Sequence, residues 1–385
     1  MYRNCILFVC MIFPVFVFAG KDTNVVISQA KEVYEFVYNK RSESVQVKQS
    51  TTTTYYCNSF RTTLDIVEMY DDQTTIDDVS FTVDGKKPKD IKPAYDYYSV
   101  DNIFYSDARV CYFELPLQQK GSSTEVRFEK TITDPRYFTS IYFTEPYNVR
   151  RKEVVVIVPR WMKVELLEKN FKGYNISHKS VYDASSDADV HTFVVTNAAA
   201  TVSERQSPGP SYVYPHLFIL TKSASPGDNS FTYFNTLKDQ YAWYHSLVKD
   251  VENDKAILKA KAQEITKGLS TDLEKVKAIF YWVQNNIRYI AFEDGLAGFR
   301  PDKAHEVLRK KYGDCKGMAH LTRELLKSLG YDARLAWIGT NHIAHDYSTP
   351  NLSVDNHMIC ALNFQGAMYF LDATETYIGF NEYAE

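Results

Sequence analysis

Short runs rich in β-branched and aromatic residues recur from about Lys40 to Leu220, among them Val45–Thr54, Leu64–Tyr70, Glu125–Thr133, Glu153–Val158 and His191–Val195. Clusters with turn chemistry separate them, such as Asp84-Gly85-Lys86-Lys87-Pro88, Lys120-Gly121-Ser122-Ser123 and Ser185–Asp189. Many strands punctuated in this way predict an all-β, sandwich-like domain over 40–220. Ser207-Pro208-Gly209-Pro210 and Ser223–Asn229 read as loops near its end. From about Leu237 the apolar period lengthens to that of helices, expected at Tyr241–Val251, Asp254–Lys267 and Asp272–Ile287. In the last, Leu273, Val276, Ile279, Phe280 and Val283 form one face, and Thr271 with Glu274 makes a capping box. The expected division is therefore a helical connection over 221–264 and an α+β domain over 265–385.

The chain has 385 residues, is 45% hydrophobic and carries a formal charge of −4, enough for two or three cores. It offers no basic footprint, so nucleic acid is not an expected partner. Met1–Ala19 reads as an export signal. Arg3 opens it, Ile6–Val17 is its apolar run, and Val17-Phe18-Ala19 is a small-residue cleavage site before Gly20. The run is shorter than the ~20 residues a spanning helix needs. The mature protein is therefore expected in the periplasm or outside the cell, with four cysteines in an oxidising compartment. Cys57 and Cys111 pair or stay as free buried thiols; Cys360 reads as a small core residue of an apolar strand.

Cys315 needs another explanation. In Tyr312-Gly313-Asp314-Cys315-Lys316-Gly317 the aspartate can cap a helix that places the cysteine in its first turn. Met318, Leu321, Leu325 and Leu329 make that helix's buried stripe and Gly330 ends it. The helix start favours a thiolate, and its N–H groups suit an oxyanion. Gly313 and Gly317 would let a substrate approach the backbone. Downstream, Asp355–Leu362 and Ala367–Thr374 read as a hairpin around Asn363-Phe364-Gln365-Gly366. A four-residue loop would set Leu362 opposite Ala367 and His357 opposite Asp372, on one face and within hydrogen-bond reach. A slip of one residue in one strand would put them on opposite faces. Cysteine, histidine and aspartate are the three parts of an acyl-transfer site.

Residues of about 265–380 resemble the transglutaminase-like superfamily of cysteine acyl-transfer enzymes. The resemblance rests on Tyr-Gly-Asp-Cys-Lys at 312–316, Asn-His-Met at 356–358, Phe-Leu-Asp-Ala-Thr at 370–374 and the helix ending in Trp282-Val283-Gln284-Asn285-Asn286-Ile287-Arg288-Tyr289. It implies a papain-like α+β domain with Cys315 as nucleophile, His357 as general base and acid, and Asp372 as its orienter. The whole arrangement resembles secreted bacterial proteins, common in the Bacteroidetes, that carry a β-rich domain of unknown function before the transglutaminase-like one. A further β domain often follows in them. This chain stops at Glu385, thirteen residues after Asp372, so a truncated member is expected. The oxyanion-supporting aromatic of animal members has no clear match. Trp282 and Tyr289 are the candidates, with helix packing the preferred role for Trp282.

His342-Ile343-Ala344-His345-Asp346 has metal-ligand spacing but no second ligand pair nearby, and is read as a cleft-edge loop. His305 and His320 flank the cysteine in sequence, with His320 pointing elsewhere. No metal or organic cofactor is expected. The expected chemistry is cysteine-dependent hydrolysis of an amide in a peptide or protein substrate, or in cell-envelope material. Protein cross-linking comes second, because ~55 M water competes unless a site holds the amine. The rival of another class is a non-catalytic binding module that keeps the fold.

Overall fold

The computed structural model describes residues 24–382 apart from 61, 99–102, 107, 203–206 and 294–297; the expected export signal, Met1–Ala19, lies outside the described residues. The β-rich part runs through β1 (Val25–Asn39), β2 (Ser44–Cys57), β3 (Thr62–Tyr70), β4 (Thr74–Val83), β5 (Ala94–Tyr97), β6 (Ile103–Ser106), β7 (Arg109–Leu117) and β8 (Ser123–Ile132). It continues through β9 (Ser140–Tyr142), β10 (Asn148–Pro159), β11 (Met162–Lys169), β12 (Ile176–Asp183), β13 (Ala188–Ala198), the short α1 (Pro210–Val213), β14 (His216–Ala224) and β15 (Phe231–Thr232). One seven-stranded sheet, ordered β12-β13-β10-β1-β2-β8-β4, dominates.

The inward residues Val45, Val47 and Cys57 of β2 share one parity, as do Val126, Phe128 and Ile132 of β8. One face of the long sheet therefore carries two cores side by side. Val45, Val47 and Ile132 pack in one with Leu217 and Ile219 of β14. Cys57, Val126 and Phe128 pack in the other with Leu64 of β3 and Phe113 of β7. The β-rich part is thus a long sheet covered by two smaller ones. It begins at Val25 and not near Lys40. β1 lies at the centre of the sheet, paired parallel to β10 and antiparallel to β2. Its alternation is broken by a bulge at Ile27–Gln29 and interrupted by Glu and Lys, which hides it in the sequence.

The second part comprises α2 (Leu237–Val248), α3 (Lys255–Ile265), α4 (Asp272–Asn286), β16 (Arg288–Tyr289), β17 (Ala291–Glu293), α5 (Ala304–Lys310), β18 (Tyr312–Gly313), α6 (Cys315–Ser328), β19 (Asp332–Ile338), β20 (His357–Phe364) and β21 (Ala367–Leu371). The capping box of Thr271 and Glu274 forms as expected. A second one, Thr236 with Asp239, starts α2 four residues before the expected Tyr241. α6 is the hub. Met318, Leu321, Leu325 and Leu326 meet Val276, Ile279, Phe280 and Val283 of α4, Val307 of α5, and Cys360, Leu362 and Leu371 of the sheet. Leu258 and Ala262 of α3 join the same core, so this domain starts before residue 265.

β19, β20 and β21 form an antiparallel sheet in that order. The β20–β21 turn is tighter than expected: Phe364 pairs with Ala367, leaving only Gln365 and Gly366 as the loop. Both have positive φ, 52° and 81°, the geometry whose twist suits a two-residue hairpin. Phe364 is drawn into the strand by burial between Tyr331 and Tyr369. The shift relative to the expected register is an even one. His357 and Asp372 thus keep a common face but stand diagonally, with Asp372 just past the end of β21. An alanine at Gly366 would meet no neighbour but would strain the backbone. Gly366→Ala should lower stability by about 1 kcal/mol in urea unfolding, and Gln365→Gly should not.

Candidate active site

Cys315 is the first residue of α6, and its surroundings follow from the local sequence. α5 ends on Lys311 in the left-handed region, which turns the chain into β18. β18 runs parallel to β16, with Ile290 N–H donating to the Gly313 carbonyl at 2.9 Å. Asp314 then caps α6 by accepting from Gly317 N–H at 2.7 Å. Its other oxygen holds the buried Lys316 ammonium at 2.5 Å. Removing the carboxylate would take away the helix cap and this ion pair together. The Cys315 N–H, at the first helical position, has no acceptor within its helix. The sulfur side is closed by Ala319 and Met358, with Leu335 and Trp337 packed against them.

Gly313 and Gly317 have a different reason from the substrate access expected of them. A Cβ at either would come within 3.0 or 3.1 Å of the Val307 methyls, so both are small because α5 packs on them.

His357 opens β20 and donates Nε2–H to Asp372 Oδ2 at 2.9 Å, which leaves Nδ1 for the thiol. Asp372 is itself fixed by Thr374, whose hydroxyl and backbone N–H donate to Oδ1 at 2.7 and 3.1 Å. Burial opposes a charge on the imidazole. Hydrogen bonds to Asp372 and Cys315, and the charges of both, overcome it and raise the His357 pKa to about 10. Burial likewise opposes charge on Asp372, but its bonds to His357 and Thr374 hold it below the ordinary carboxylate value. Carboxylate and thiol are therefore both neighbours of the His357 imidazole, which reaches Asp372 by the diagonal register and not the directly opposed one.

Other residues singled out earlier fall elsewhere. His320 is buried, bonded through Nδ1 to the Asp302 carbonyl at 3.0 Å and through Nε2 to Asn253 at 3.2 Å. His305 accepts from Asp254 N–H at 3.1 Å. Trp282 lies between the Lys261 and Lys311 ammonium groups, 4.7 and 4.5 Å from its ring, a buttress for the helices. Tyr289 sits on β16 opposite Gly313. His345 is stacked on Phe218 at 4.0 Å and meets His216 edge-on at 5.2 Å. Burial, and His216 beside it, push its pKa down to about 4. The described cysteines 57, 111, 315 and 360 are all free thiols. Burial pushes Cys360 up to about 12.

The approach to His357 was not legible as a functional element. Asn351 is buried and donates to the Ile219 carbonyl of β14 at 2.6 Å. Leu352 and Val354 then plug into the junction between β14 and α2. Asp355 accepts from Tyr244 of α2 at 2.8 Å.

Residues 259–362 match the transglutaminase-like superfamily, and 68–202 match a domain of unknown function known as DUF3857. The chain thus joins a transglutaminase-like domain, a fold of cysteine-type acyl transfer and hydrolysis, to an N-terminal β-rich domain. The same architecture occurs in a solved structure from Parabacteroides distasonis described as a "putative protease". It is 15% identical, with a TM-score of 0.65 over 91% of this chain and 67% of that one. A Cytophaga hutchinsonii structure described as a "putative cysteine protease" aligns with 86% of this chain and 77% of its own at 13% identity. Its TM-score is 0.26, and it adds nothing to the fold. Among curated proteins none matches.

The His357 pKa sets a pH dependence. Below pH 6.5 the imidazole is charged whether the chain is folded or not, and its contacts contribute in full; their contribution fades as pH rises through about 10. The Asp372 contribution is present above pH 3.8, its ordinary value, and fades as pH falls below it. The melting-temperature gap between the parent and His357→Ala should therefore be widest between about pH 4 and 6.5 and narrow towards pH 10.

Proposed function

We propose that this protein is an exported cysteine amidase or peptidase in which Cys315 is the nucleophile, His357 the general base and acid, and Asp372 the group that orients and charges the histidine. The observation that carries this reading is the alignment of Asp372, His357 and Cys315 at the start of a buried, capped helix. A cysteine of purely structural value has no need of a histidine held protonated beside it.

In this reading the thiolate of Cys315 adds to the carbonyl carbon of an amide. The negative charge that develops on oxygen is met by the Cys315 N–H at the helix start. The tetrahedral adduct collapses, the C–N bond breaks, and His357 passes its proton to the leaving amine. The acyl group remains on sulfur as a thioester. His357, now neutral, takes a proton from water, whose hydroxide adds to the thioester and releases the acid and the Cys315 thiolate, restoring the starting pair. Asp372 stays ionised throughout and keeps Nε2–H pointed at itself. Capture of the thioester by an amine instead of water would give a cross-link.

Peptide or cell-envelope amides fit the export signal read at the amino terminus. No helix among the described residues is long and apolar enough to cross a membrane.

Cys315→Ala is expected to abolish amide hydrolysis and leave the melting temperature within a few degrees. An active Cys315→Ala protein would end the proposal. Iodoacetamide at neutral pH should label Cys315 ahead of Cys57, Cys111 and Cys360, which are fully buried. Labelling spread evenly over the four would favour a binding module.

A further inference from the structure

The side chains that α2 lays against the approach to His357 are unbalanced in their hydrogen bonding. Gln240 and Tyr244 stand one turn apart on α2, and both are buried. The Gln240 amide nitrogen donates to Tyr244 Oη at 3.1 Å and to the Asn351 carbonyl at 3.0 Å. Tyr244 Oη donates in turn to Asp355 Oδ2 at 2.8 Å. These bonds use every side-chain donor that the three residues own. Acceptors are left over. Gln240 Oε1 is buried with no partner. Asp355 receives only the Tyr244 hydroxyl, and no cation among the described residues faces it. Burial without a counter-charge pushes the Asp355 pKa up to about 6. A carboxylate in such a place costs free energy unless something neutralises it.

The surroundings are aromatic. Tyr244 stacks on Trp337 with ring centroids 5.3 Å apart. Phe299 lies 5.4 Å from Trp337 and 5.3 Å from Trp243. Phe299, Trp243 and Trp337 are only half-buried, so part of each ring remains open. Trp337 also packs against the group formed by Cys315, Ala319 and Met358. A carboxylate, a spare amide oxygen and negative ring faces, with every side-chain donor of Gln240 and Tyr244 already used, complement a ligand that brings donors and positive charge. A water molecule could bond to Gln240 Oε1 but would leave the Asp355 charge unanswered.

We propose that Asp355 and Gln240, with the ring faces of Trp337 and Phe299, form a subsite for a primary ammonium group of the substrate, beside the Cys315 thiol. This rests on the reading of Cys315 as nucleophile and deepens it. The substrate is a peptide or related amide that carries a free amine close to the bond that is cleaved. An ammonium bound to a carboxylate has no lone pair to attack a thioester, so the group is recognised and is not the acyl acceptor.

The test uses the full chain with Cys315→Ala, titrated with n-butylamine and with n-butanol at pH 7.5 while tryptophan fluorescence is recorded. The amine, protonated at that pH, should saturate at concentrations about tenfold lower than the alcohol. Asp355→Asn should remove that preference while the melting temperature stays within a few degrees. In the protein with Cys315 intact, n-butylamine should also slow iodoacetamide labelling of the thiol. Equal affinity for amine and alcohol, no saturable binding of the amine, or a preference that survives Asp355→Asn would overturn the subsite. Amine binding without slower labelling would overturn its placement beside the thiol. Labelling of Cys315 without amine reports on the nucleophile by itself, so a failure there is separately visible.

Discussion

A charged imidazole kept in a largely dry pocket is the constraint on which the rest of this domain depends. Burial alone would discharge His357; the carboxylate on one nitrogen and the sulfur on the other keep its proton. Each partner has to be held as firmly as the histidine. Cys315 is held by α6, whose first two turns are buried and whose start is tied by Asp314 to both Gly317 and Lys316. Asp372 is held by Thr374 and by the tight Gln365-Gly366 hairpin that fixes its register. The elements that look like ordinary packing are those that bring three polar groups into line.

The β-rich domain takes part in that alignment. The chain between β19 and β20 leaves the small sheet, crosses to the other domain and returns at His357. On the way it is gripped at several points. Tyr212 of α1 donates to the Ile343 carbonyl at 3.0 Å, and Ala344 N–H donates to Ser211 at 3.0 Å. Gly209 lies so close to the His342 carbonyl that any side chain there would collide with it. Asn351 is fastened to β14 and Asp355 to α2. The position of His357 is thus set from both domains, which gives the N-terminal domain a structural part in the site.

Much of this was legible in the sequence where a local signal was strong. The cap at Asp314, the apolar stripe of α6 and the capping box at Thr271 act within a few residues, and each formed as expected. The common face of His357 and Asp372 also followed from the period of two along a strand, and it survived a register error because that error was even. The turn is two residues and not four because Asn363 and Phe364, which have the composition of a loop, are claimed by pairing and, for Phe364, by burial. β1 is hidden because its partners, β2 and β10, are needed to see why a strand that carries Lys31, Glu32 and Glu35 is central. Asp355 and Tyr244 are more than a hundred residues apart, and nothing local to either marks the bond between them.

The most direct test of the account is an NMR titration of the His357 ring. The imidazole should remain protonated until about pH 10 in the parent protein and titrate markedly lower in Asp372→Asn and in Cys315→Ala. A His357 that loses its proton near the ordinary 6.5 and is indifferent to both substitutions would contradict the account at its centre.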